Sequence, residues 1–74
     1  MEKLLQLLGE TCPGIDFEKE TALIDQGILD SMDVISIVSE IVYSFSVEIG
    51  VEDLIPENFN SAAAMMALIE QKEQ

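Results

Sequence analysis

The stretch LIDQGILDSMDVISIVSEI sets one hydroxyl, Ser31, between two carboxylates, Asp30 and Asp33, where a long apolar pattern begins. Four chemistries could use such a group. A nucleophilic serine needs a base within hydrogen-bond reach. The chain has no histidine, and its carboxylates and three lysines stand at no recognisable spacing for that work. Paired carboxylates such as Asp30 and Asp33 can exchange protons, but at a helix start capping and the helix dipole explain them more simply. A calcium loop beginning at Asp25 or Asp30 fails because the required oxygen ligands and the mid-loop glycine fall out of register. Gly9, Gly14, Gly27 and Gly50 make no phosphate-cradling loop. No catalytic residue and no metal ligand is assigned, so the chain is read as a non-enzyme.

The elements that must hold Ser31 come from a short chain. Seventy-four residues make one domain, 1–74, near the lower size at which a single core is stable without staples. The lone Cys12 has no partner for an internal disulfide, and no Cys/His cluster exists to hold a structural zinc. Packing of apolar faces must therefore supply the stability, and 49% hydrophobic content with 5% aromatic makes that core mostly aliphatic. Cys12 is read as a small apolar filler. One unpaired thiol fits a reducing compartment. The segment MEKLLQLLGETCPG is too soon interrupted to be a signal peptide, and no run approaches the length of a membrane span. A cytoplasmic protein without membrane insertion is expected, and the start at Met1 with no linker favours a discrete one.

Charge excludes further classes. Fifteen acidic residues against Lys3, Lys19 and Lys72, with no arginine, give a net charge of -12. Such a surface repels nucleic acid and anionic membranes and steers towards basic protein partners. Solubility alone could also explain the excess of acid.

Three helical patterns are legible. Met1, Leu4, Leu5 and Leu8 recur at helical spacing until Pro13-Gly14 stops them. A second helix is predicted from Asp30-Ser31 to about Phe45, with Val34, Ile37, Val38, Ile41 and Phe45 as its apolar stripe. A last helix is predicted from Ser61 to about Gln71, capped by Ser61 or Asn60, with Ala64, Met65, Leu68 and Ile69 on one face. Between the last two, SVEIGVEDLIPENF reads as mostly irregular, with VEDL able to form one short turn before Pro56. Residues 14–30 would be a long connection, and such loops are usually functional or disordered. Ile15, Phe17, Leu23, Ile24, Ile28 and Leu29 give this one anchors, so an ordered loop is expected. On the second helix, stepping each residue by a helical increment puts Met32, Ser36, Ser39, Glu40 and Tyr43 opposite the stripe, with Ile35 and Val42 at its border. Met32 and Tyr43 are predicted to be exposed.

GILDSMDVISIVSEI followed by FSVEIGVEDLIPENFNSAAAMMALIE resembles the acyl and peptidyl carrier protein family, whose signature is Asp-Ser-Leu or Asp-Ser-Met at the start of the second of four helices. The likeness covers nearly the whole chain, from the Leu4-Leu5-Leu8 pattern through Leu29-Asp30-Ser31-Met32 and Phe45 to Phe59-Asn60-Ser61 and Met65. It implies an all-α four-helix bundle of the acyl carrier protein type, with a long ordered loop between helices one and two and a short third helix. It also implies that Ser31 is an attachment point. In this family a phosphopantetheinyl transferase moves the phosphopantetheine arm of coenzyme A onto that serine, and the terminal thiol of the arm carries an acyl or aminoacyl group as a thioester. Asp30 stands at the position that helps present the serine to the transferase and its metal ion. The surface implied for recognition comprises Asp30, Met32, Asp33, Ile35, Ser36, Ser39 and Tyr43. The implied partners are the transferase, an acyl- or aminoacyl-activating ligase and a downstream acyl transferase or synthase, acting on a monomer.

Fatty-acid carriers of the family typically have a strongly acidic second helix. Here that helix departs from the pattern, offering Ser36, Ser39 and Tyr43 with Glu40 as the only acid after Asp33. In this it resembles aminoacyl and peptidyl carriers, the D-alanine carriers among them. Three rivals remain: Ser31 as a plain helix cap, a non-enzymatic acidic adaptor that binds a basic partner through the Met32/Tyr43 face, and a serine hydrolase, which would lack its base.

Overall fold

In the computed structural model, which describes residues 1–73, every regular element is helical and no strand occurs among the described residues. Helix α1 spans Glu2–Thr11. Leu4, Leu7 and Leu8 recur at intervals of three and four, so they share one face and are buried. Pro13 and Gly14 end the helix as the sequence predicts, with Gly14 at φ 92, where a side chain would be strained. Helix α2 spans Ser31–Phe45 and buries Ile37 and Ile41. A 3-10 turn covers Val51–Asp53, helix α3 is the single turn Pro56–Phe59, and helix α4 runs Ala62–Lys72.

The short third helix therefore begins at Pro56, beyond the VEDL turn. Proline is suited to this start, because its fixed φ fits a first helical position where the missing N–H has no partner to lose. Phe59 at the end of that turn is buried and ties α3 to the core. At the start of α4 the cap is Ser61, whose Oγ accepts from the Ala64 amide at 3.0 Å. The buried face of α4 is Ala62, Met65, Leu68 and Ile69, with Ala64 only half-buried.

Helix α1 packs against both α2 and α4, and α3 packs on α4. The buried residues form one cluster, in which Leu4, Leu8, Ile37, Ile41, Met65 and Ile69 are fully enclosed. The α2 stripe is shared unequally: Val34, Val38 and Phe45 pack on the cluster but stay half-buried. Phe45 is held at its outer face by Lys3, whose ammonium lies 4.7 Å from the ring centre and donates to the Ser44 carbonyl at 2.6 Å. Lys3 thus supplies from α1 the positive charge that the last turn of α2 lacks.

The connection from Cys12 to Asp30 is ordered by two means. Phe17, Leu23 and Leu29 are buried, and Ile15, Ile24 and Ile28 pack against the core. Asn60, between α3 and α4, supplies the polar anchor. Its carbonyl accepts from the Leu23 amide at 2.9 Å, its Oδ1 accepts from the amides of Ile24 and Asp25, and its Nδ2 donates to Asp25 Oδ2. A further bond from Leu29 N to Leu23 O closes the loop just before Asp30.

Candidate functional site

At the start of α2 the cap is Asp30, and Ser31 is the first helical residue. Asp30 Oδ1 accepts from the Asp33 amide at 2.8 Å, and Asp33 Oδ2 accepts from the Asp30 amide at 3.3 Å. Each carboxylate satisfies a backbone donor that the helix leaves unpaired, and each places negative charge at the positive end of the helix dipole. The reading of Ser31 as a plain cap is thereby corrected. Its hydroxyl is exposed, and among the described residues no side chain or backbone group bonds to it. A hydroxyl on the first turn of a fifteen-residue helix is fixed in direction by its backbone yet free to react.

Among the described residues no group of three or more acidic, cysteine or histidine side chains is placed to hold a metal ion. Cys12 is buried, and its pKa is raised, first by burial and then by the negative charges of Asp33 and Asp30. That thiol stays protonated at neutral pH, which fits packing and not nucleophilic chemistry.

Beside Ser31 opens an apolar groove of about 270 Å³. Its lining comprises Val34 and Ile35 of α2, a wall of Leu54 and Ile55 from the segment before α3, Ile24 from the long loop, and Pro56 and Phe59 from α3. Leu54 and Ile55, each 41% exposed, belong to the site although sequence reasoning did not include them. No local pattern marks them, because the groove joins Leu54 and Ile55 to α2 residues some twenty positions earlier in sequence.

The residues proposed for recognition separate into groups. Met32 and Ile35, 67% and 54% exposed, stand beside Ser31 on the first turns of α2. Asp30 and Asp33 flank it and serve the cap. Ser36 and Ser39 are exposed and line a polar groove between α1 and α2 with Glu10, Thr11 and Glu40. Tyr43 is the most exposed apolar side chain, at 86%. Twelve residues of helical rise put it about 18 Å along the axis from Ser31, so it belongs to the far end of the face. Among the described residues, no helix is long and apolar enough to cross a membrane.

Comparison of this chain with protein-family models, with curated proteins and with solved structures finds no match.

Proposed function

We propose that this chain is a carrier protein of the acyl and peptidyl type, bearing a phosphopantetheine arm on Ser31 and passing an acyl or aminoacyl group between partner enzymes as a thioester. The observation that carries the reading is the state of the Ser31 hydroxyl: exposed, unbonded, and set on a rigid helix start whose cap is provided by its neighbours Asp30 and Asp33. An attachment point needs such a group and no base of its own, because the modifying enzyme supplies the chemistry. Modification would join Ser31 Oγ to the phosphorus that bears pantetheine, release the nucleotide part of coenzyme A, and pass the serine proton to a base on the transferase. The cap bond uses Asp30 Oδ1, which leaves its Oδ2 available to the transferase and its metal ion. The arm supplies the terminal thiol. This chain supplies position and a docking surface made of Met32 and Ile35, with the acids Asp30 and Asp33 at its edge.

In this reading the protein is a cytoplasmic monomer and not an enzyme. Its α2 face, apolar and hydroxylic with Glu40 as its one acid beyond Asp33, supports aminoacyl or peptidyl cargo over a housekeeping fatty-acid role. The exposed Met32 and Tyr43 also favour a second reading, an acidic adaptor that binds a basic partner and never carries an arm. One experiment separates the two. Incubation with coenzyme A, magnesium and a broad-specificity phosphopantetheinyl transferase should add a single arm to the wild type, mapped to Ser31, and none to Ser31→Ala. An unchanged intact mass with several such transferases, or an adduct elsewhere, would sink the carrier reading.

A further inference from the structure

The Leu54–Ile55 wall of the groove is not held by its own burial. Both residues are partly exposed, and the 3-10 turn before them buries nothing. What fixes the wall converges on Asp53. Its Oδ2 accepts from Lys72 Nζ at 2.8 Å and from the Gly50 amide at 3.0 Å. Its carbonyl accepts from Asn58 Nδ2 at 2.8 Å and from the Ile55 amide at 2.9 Å, and its own amide donates to the Gly50 carbonyl. The turn, α3 and the last turn of α4 all meet at this residue. Isolated surface ion pairs contribute little. This one differs because one carboxylate oxygen serves both the ammonium and the turn's backbone, with the Asp53 side chain only 14% exposed.

We propose that Asp53 is a positioning residue for Ser31: its pairing with Lys72 holds the Leu54–Ile55 wall, so the last turn of α4 sets part of the surface that any enzyme acting on Ser31 must cover. The proposal rests on the carrier reading for its functional half only. An enzyme that brings a phosphate to the Ser31 hydroxyl covers the apolar surface sharing its groove, and that surface includes Leu54 and Ile55. A misplaced wall weakens this encounter without touching the reacting hydroxyl, so binding suffers and the chemical step does not.

The variants are Asp53→Asn, Lys72→Met and Lys72→Arg, with Lys19→Met as a control that shifts net charge as Lys72→Met does. Each is measured for KM and kcat in transfer from coenzyme A by a broad-specificity phosphopantetheinyl transferase, and for amide hydrogen exchange. Asp53→Asn and Lys72→Met should raise KM for the carrier about three- to tenfold with kcat little changed, as expected for a contact made in binding. Lys72→Arg should restore the wild-type KM, and Lys19→Met should leave it unchanged. The amides of Gly50, Asp53 and Leu54 should exchange about tenfold faster in the first two variants, with those of Ile37 and Ile41 unchanged, since local opening spares the core. An unaltered KM, or an equal rise in Lys19→Met, overturns the functional half while leaving the carrier reading intact. If the wild type itself accepts no arm, the carrier reading fails and the functional half with it, and exchange alone judges the wall. Unchanged exchange at Leu54 overturns that too.

Discussion

Because Asp30 takes the cap, the hydroxyl of Ser31 sits one position too late to serve the amides of its own first turn. The two neighbours should therefore answer differently to alanine. Asp30→Ala removes an acceptor from the Asp33 amide and half of a reciprocal pair, a loss of about 0.5–2 kcal/mol. Ser31→Ala removes a solvated hydroxyl and introduces a better helix former, so stability should change by less than about 0.5 kcal/mol. Urea unfolding of both variants measures this, and a larger loss for Ser31→Ala would show that Ser31 is the cap after all. The order was legible in principle. Asp and Ser are both good caps, but only Asp30 has an acidic residue three positions on, which is the reciprocal pattern that selects it. The exposure of Met32 and Tyr43 was read correctly from helical period alone, because α2 is long and regular enough for the period to hold.

Elements of fifteen and eleven residues declare themselves through repetition, and α2 and α4 lie where the apolar pattern puts them. Helix α3 has four residues and no repeat, so only Pro56 could mark it, and the groove wall next to it was invisible for the same reason. At this scale α2 holds its place through Ile37 and Ile41, both fully enclosed. Ile41→Ala should cost about 2–5 kcal/mol, a large share of the stability of so small a domain. A change near zero in thermal or urea unfolding would mean that the buried face of α2 is misplaced. The link between the turn and α4 should be sensitive to pH in a defined way. Hydrogen bonds from Lys72 and the Gly50 amide lower the pKa of Asp53, and the bond to Asp53 raises that of Lys72. A lowered acid gives stability that is present above its ordinary value of 3.8 and lost as pH falls through the lowered one. A raised base gives stability that is present below its ordinary 10.5 and lost as pH rises through the raised one. The difference in stability between wild type and Lys72→Met should thus be flat from about pH 5 to 9 and fade in acid and in strong alkali. A difference that varies within that window would assign the effect to other groups.

For the molecule as a whole, salt should act with two opposite signs. A net charge of -12 on a body 29 × 24 × 19 Å opposes its own folding, and screening relieves that opposition. Thermal stability should rise between low salt and about 0.5 M, where the screening length falls to about 4 Å. If docking runs through the exposed Met32 and Ile35 as proposed, it relies on apolar contact, and loading by a cognate ligase should fall only modestly over the same series. Met32→Glu should slow that loading while leaving circular dichroism unchanged, since the side chain is solvated. Unchanged loading by the variant, with a steep salt dependence in the wild type, would overturn apolar docking in favour of an encounter steered by charge. The burial of Cys12 bears on the durability of any cargo. Thioesters are lost to other thiols by exchange, and the attacking species is the thiolate. In the proposed carrier the thioester forms on the terminal thiol of the arm borne by Ser31, and Cys12, covered and held protonated by burial with the charges of Asp33 and Asp30 nearby, offers little thiolate to take that cargo by exchange within the fold.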